Sequence, residues 1–161
     1  MEYFKREENT MIIIDSNPKD QVYVDLLDLA FETCDTFHLV LRKDMRSLDS
    51  YDPILKKLEL SLIKMRELSE WSSTILGDNQ TAKVYFYHAN THAKKILKEL
   101  SNSLYSWEQP DLPEDLSFFK KGEKWLVSCS HEQESFINTH DKNEIKKVFD
   151  IVGLKAHIGE L

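Results

Sequence analysis

Two tight connections constrain this chain more than any other feature. Gly77-Asp78-Asn79 and Lys121-Gly122-Glu123 each separate two short apolar runs, Trp71 to Leu76 from Val84 to His88, and Leu116 to Phe119 from Lys124 to Cys129. A connection of a few residues permits an antiparallel hairpin but not a parallel crossover, which needs a dozen or more. A further run at Ser135 to Ile137 extends the second hairpin into a meander. Thr10 to Asp15 and Phe37 to Leu41 read as strands from their β-branched and alternating residues.

Between the strands the period changes to that of a helix. Val22, Leu26, Leu27, Leu29 and Ala30 form one stripe. Ala93, Leu97, Leu100 and Leu104 form another, capped by Asn90 or Thr91. Ile145, Val148, Phe149 and Val152 form a third. Asp141 followed by Glu144 resembles a capping box, and Gly153 ends that helix. Asn17-Pro18 and Asp52-Pro53 each read as a cap followed by proline at the first helical position. From Asp52-Pro53, Leu55, Leu58, Leu62 and Met65 predict one amphipathic helix running to Leu68. Asp44 to Tyr51 reads as a loop. The expected fold is α+β: one domain over residues 1–161, with a largely antiparallel sheet and about four helices packed mainly on one face.

With 161 residues, a single core suffices without a disulfide or metal staple. The 21 basic and 28 acidic residues leave a formal charge of −7. That argues against a nucleic-acid binder, which needs a basic footprint, and against docking on anionic lipid. It suits a cationic protein partner. No run of ~18 apolar residues offers a membrane span, and the acidic N-terminus lacks the apolar core of a secretory signal. The expectation is a cytoplasmic protein. Cys34 and Cys129 lie in apolar runs and read as buried core residues.

Candidate chemistry is sparse. Four scattered glycines cannot build a phosphate loop or a dinucleotide fingerprint. On a continuing strand, Cys129 and His131 would share a face with Cα atoms roughly 6.6 Å apart, too far for a ready nucleophile–base pair. His88 and His92 resemble metal ligands, and His131-Glu132 would have to complete the set from elsewhere for a metal-assisted hydrolase. Glu114 and Asp115 follow Pro113 and read as the start of a turn or a short helical cap. Tyr85 and Tyr87 share one strand face. If exposed with Trp71 nearby, they would serve as a protein-binding anchor. The candidate binding surface is Trp71, Tyr85, Tyr87, His88, His92, Trp107, Glu114, Asp115, His131 and Glu132. No catalytic residue, metal ligand or cofactor is assigned. The expected function is a non-catalytic interaction module of immunity or antitoxin type. A metal-assisted hydrolase, or a small-ligand binder with a pocket between sheet and helices, is the alternative.

The stretch from Trp107 to Phe119 (Trp-Glu-Gln-Pro-Asp-Leu-Pro-Glu-Asp-Leu-Ser-Phe-Phe) resembles the signature of a family of small uncharacterised bacterial proteins. Gly122, Lys124-Trp125-Leu126, Ser130-His131-Glu132 and Phe37 to Leu41 continue the likeness, as does Glu70-Trp71-Ser72-Ser73-Thr74. In that last segment Ser72-Ser73 stands where the family has Pro-Gly, so the expected turn lacks its usual residues. The resemblance covers roughly residues 26 to 150. Members often carry the label "stage III sporulation protein AH", yet the genuine sporulation protein of that name is membrane-anchored. The resemblance implies a bacterial origin and a common fold. It implies no activity and no catalytic residues.

Overall fold

The computed structural model describes residues 9–43 and 47–159. The N-terminal stretch read for a secretory signal, and residues 44–46 of the expected loop, lie outside them. β1 (Thr10–Ile14) leads to α1 (Gln21–Thr33) and β2 (Thr36–Arg42). A short helix, α2 (Asp52–Leu58), precedes β3 (Leu62–Leu68). A two-stranded excursion, β4 (Glu70–Trp71) and β5 (Thr74–Ile75), comes before β6 (Ala82–His88). Then follow α3 (Thr91–Leu100), β7 (Glu114–Lys120), β8 (Glu123–Cys129), β9 (Glu134–Thr139), α4 (Lys142–Phe149) and β10 (Ala156–Ile158).

Eight strands form one sheet in the order β10-β1-β9-β8-β7-β2-β6-β3, and every neighbouring pair is antiparallel. The α+β architecture read from the hairpin signals is therefore present. Register sorts the two faces. Phe37 lies opposite both Tyr87 and Phe118, and Leu39 opposite Tyr85. These side chains meet α1, α2, α3 and α4 in the main core, together with Tyr23, Leu26, Leu58, Leu97, Trp107 and Val148. Phe37 stacks on Tyr87 at 5.1 Å, and Phe31 of α1 meets Phe118 edge-on at 5.2 Å. Burying such rings supplies most of the driving force, at roughly 1.5–3 kcal/mol for each large apolar side chain. On the other face Val40 and Val84 pack with Trp71 and Ala82 in a small second cluster, under the β4–β5 hairpin.

The turn signals and the Asn90 cap are present, whereas Asp52 is the first residue of α2 rather than its cap, and α4 ends at Phe149, short of Gly153. Asp78 and Asn79 both adopt left-handed φ angles, of 55° and 59°, and Lys121-Gly122 turns with φ of 50° and 80°. At Lys121-Gly122, which joins the paired strands β7 and β8, successive positive φ angles match the right-handed twist of a hairpin. The Asp78-Asn79 turn joins β5 to β6, which do not pair with each other. Asn90 caps α3 by accepting from the Ala93 amide at 2.9 Å.

Four further local expectations need correction. The helix from Asp52 stops at Leu58, and Leu62–Leu68 is a strand paired with β6. The three-residue step from Leu62 to Met65 belongs to a helix rather than to the alternation of a strand, but β3 is exposed on both faces, so that spacing marks no buried stripe. β6 takes the segment as the neighbour for its outer backbone groups. For the same reason Trp71 to Leu76 does not pair with β6 but turns back on itself. Asn17-Pro18 is not the cap of α1. Asn17 Oδ1 accepts from the Tyr105 amide at 3.1 Å, the Pro18 carbonyl accepts from Leu104 N at 2.9 Å, and α1 starts at Gln21. The capping box is only half made. Asp141 accepts from the Asn143 and Glu144 amides, but the Glu144 side chain turns inward to Trp125 Nε1, Thr139 Oγ1 and Lys120 Nζ.

Candidate functional site

The polar side chains gather beneath the β4–β5 hairpin, on the sheet face away from the helices. Their arrangement begins with one irregular backbone position. His38 pairs with Ser117 and Val40 with Glu114, so Leu39 alone faces the two residues Asp115 and Leu116. This is a β-bulge, which re-aims a side chain. Asp115 takes a left-handed φ of 58°. Leu116 joins the helix-side core. The Asp115 carboxylate reaches the hairpin on the opposite face.

Asp115 is completely buried. A buried carboxylate requires donors, and three are present. Trp71 Nε1 donates to Oδ2 at 2.9 Å, Ser73 Oγ donates to Oδ2 at 3.3 Å, and the Ser130 amide donates to Oδ1 at 3.0 Å. The Asp115 carbonyl accepts from Ser117 Oγ at 3.0 Å, and its amide donates to the Trp107 carbonyl at 3.2 Å. Ser72 Oγ donates to Ser117 Oγ at 3.1 Å and lies 3.0 Å from His38 Nε2. The hairpin is thus held to the sheet by a network of polar contacts, and its turn falls at Ser72-Ser73 without the Pro-Gly pair.

Burial sets the charge states. His38 is about 1% exposed, and desolvation pushes its imidazole down to about 3, so it is neutral at ordinary pH. Glu114 is raised above the usual carboxylate range by burial and by Asp115 beside it, against the pull of Arg42. Arg42 Nε sits 3.0 Å from Glu114 Oε2, and its guanidinium lies 5.4 Å from the Trp71 ring. Gln109 clamps the Arg42 backbone from both sides, accepting from its amide at 2.7 Å and donating to its carbonyl at 3.1 Å.

Cys129 and His131 correct a sequence expectation. β8 ends at Cys129 and the chain enters a 3-10 turn over Ser130–Glu132. That coiling brings Cys129 Sγ to 3.6 Å from His131 Nδ1. The separation expected for a continuing strand does not apply because the strand stops. Cys129 is half-buried rather than enclosed, and Cys34 is buried. Burial and the Asp115 charge push the Cys129 thiol up, outweighing the hydroxyls of Ser73 and Thr74. It is therefore not poised as a free thiolate nucleophile.

Of the residues singled out in the sequence, Trp71, Glu114, Asp115, His131 and Glu132 meet in or beside this cluster. Glu114 and Asp115 do not start a turn or helical cap; they open β7, buried. Trp71, Tyr87 and Trp107 are interior, and Tyr85 is half-buried on the helix face, so the tyrosine row offers no exposed anchor. Trp107 donates its indole N–H to Tyr23 Oη at 3.0 Å and reaches the cluster only through its carbonyl. His88 and His92 lie elsewhere. His88 faces Thr36, and Thr36 faces Phe119, four residues along β7 from Asp115 or roughly 13 Å. His92 Nε2 contacts the Lys57 carbonyl at 3.2 Å. The four groups His88, His92, His131 and Glu132 do not converge. His38, Ser72, Ser73, Ser117 and Ser130 are not among the candidate binding residues read from the sequence; a histidine and a serine in the middle of apolar strands are the available signal.

Comparison with protein-family models, with curated proteins and with solved structures gives no match. No helix among the described residues is long and apolar enough to cross a membrane.

Proposed function

We propose that the chain is a non-catalytic protein–protein interaction module of immunity or antitoxin type, taking its partner by strand addition at β3. One observation carries this reading: β3 ends the eight-stranded sheet and is exposed on both faces. Leu62, Ile63 and Met65 are exposed along it, and Leu60 just before it is 87% exposed. A free edge presents a row of unpaired N–H and C=O groups, and natural proteins usually shorten or cover it. Strand addition uses that backbone for affinity and alternate side chains for selectivity.

A second copy of the chain is a poor occupant. Twofold antiparallel pairing centred on Lys64, Met65 or Arg66 sets cation against cation, which destabilises a cross-strand pair. The net charge of −7 favours a cationic protein drawn in over longer range, whose docking strand itself sets neutral or acidic side chains opposite Lys64 and Arg66. The space between sheet and helices, where a small-ligand pocket was the alternative, is filled by Tyr23, Phe37, Tyr87, Trp107 and Phe118.

Affinity capture from native lysate at low salt tests the reading, comparing the natural chain with an Ile63→Glu/Met65→Glu variant. The expected result is a stoichiometric cationic partner recovered by the natural chain and lost by the variant. Recovery of no stoichiometric partner, or equal recovery by both chains, overturns it.

A further inference from the structure

We propose that Asp115, Cys129 and His131 form a binding site for a borderline-soft divalent cation, zinc fitting their donors best. One ligand atom from each of the three residues lies within 4.8 Å of the other two. The set combines a thiol, an imidazole and a carboxylate, the three donor types that zinc takes at about 2.0–2.3 Å. Two such ligands on a tetrahedral ion stand about 3.6 Å apart by simple trigonometry from those bond lengths. Cys129 Sγ and His131 Nδ1 already stand at 3.6 Å.

The surroundings fit a metal as well as the ligands do. His131 Nε2 lies 3.7 Å from Glu132 Oε1. That is longer than a hydrogen bond, and a small approach of the two exposed side chains would give the second ring nitrogen the carboxylate partner that orients a ligating histidine. Asp115 is held by Trp71, Ser73 and the Ser130 amide, so its carboxylate is fixed before any ion arrives. Oδ1 accepts only the Ser130 amide among these and keeps lone-pair capacity for an ion. The left-handed backbone at Asp115 is of a kind that clusters at ligand-binding positions. The neighbouring Ser130 hydroxyl is buried without a partner. Three protein ligands are one fewer than a closed structural zinc site, which leaves a position for water or another donor. On binding, the Cys129 S–H bond breaks, its proton passes to solvent, and the sulfur lone pair forms the metal bond.

The site is independent of the β3 edge, so the two proposals fail separately. The test titrates Co²⁺, then Zn²⁺, into the full chain with its cysteines reduced. The expected result is one-to-one binding with a thiolate-to-cobalt charge-transfer band that Zn²⁺ removes by displacement. Cys129→Ser abolishes the band, whereas Cys34→Ser leaves it. Glu132→Gln, on an exposed side chain, weakens binding by about 10–100-fold. Asp115→Asn also removes support from the hairpin, so the Cys129 and Glu132 variants carry the test, with circular dichroism confirming that they fold. No thiolate band, a band that survives Cys129→Ser, or a band lost in Cys34→Ser overturns the proposal.

Discussion

The indole N–H of Trp71 donates to the Asp115 carboxylate at 2.9 Å, across 44 residues of sequence, and fastens the β4–β5 hairpin to the bulged start of β7. Hydrogen bonds to buried charged groups contribute about 1.5–3 kcal/mol. Trp71→Phe keeps most of the ring and deletes the donor. Urea unfolding should show a loss of about 2 kcal/mol. A midpoint equal to that of the natural chain would show that the hairpin is held by packing alone.

Glu144 makes an analogous junction on the far side of the sheet, where its carboxylate accepts from Lys120, Trp125 and Thr139. Burial alone would raise its pKa, yet these three partners hold it below the usual range. Glu144→Gln retains one acceptor oxygen and removes the ion pair. A loss of about 2 kcal/mol is expected in the same assay, with Lys146→Gln, on the exposed face of α4, as the near-neutral comparison.

Stability should fall as the solution is acidified below neutrality. His38 is held near 3 when folded, against ~6.5 when unfolded. Between those values the unfolded chain takes up a proton that the folded protein refuses, so stability drops by at most ~1.4 kcal/mol per pH unit. Glu144, held low, adds loss in the same direction once the pH passes below the ordinary glutamate range. Glu114, held high, opposes it between its unfolded and folded values. Chemical denaturation of the natural chain and of His38→Asn, followed from pH 7 to pH 5, isolates the histidine. Parallel curves for the two would refute its part.

The exposed apolar edge should matter little to folding. Leu60 and Ile63 touch solvent, so Leu60→Ser and Ile63→Glu should each change unfolding free energy by no more than about 0.5 kcal/mol. A loss of several kcal/mol in thermal or urea unfolding would mean that these side chains serve the core instead.

The two thiols should separate by alkylation. Cys129 is half-buried and Cys34 buried, and burial pushes both thiols up. Mass spectrometry after native alkylation should find slow modification confined to Cys129, with Cys34 reacting only after denaturant is added. Native modification of Cys34 would contradict its place in the core.

Much of this molecule was legible in local chemistry. The turns at Asp78-Asn79 and Gly122, the caps at Asn90 and Asp141, and the alternation through Phe37, Leu39 and Leu41 all act over a few residues, and such signals specify elements directly. What misled was residues 62–68, where leucine and methionine spacing suited a helix. The missing fact was long-range: β6 had an unsatisfied edge and took those residues as its neighbour. The candidate site was harder to see. Glu114-Asp115 looked like a cap because nothing nearby reveals a bulge, and Cys129 and His131 looked distant because strand geometry was extended past the strand's end.

Antiparallel pairing, the helix count and the acidic balance follow from residue types and spacings, because turn chemistry and amphipathic period act locally. The convergence of Trp71, Asp115, Cys129 and His131, and the bareness of β3, came only with the assembled sheet. A bulge, a strand's end and an edge are relations between segments far apart in the chain, and short-range propensity carries no term for them.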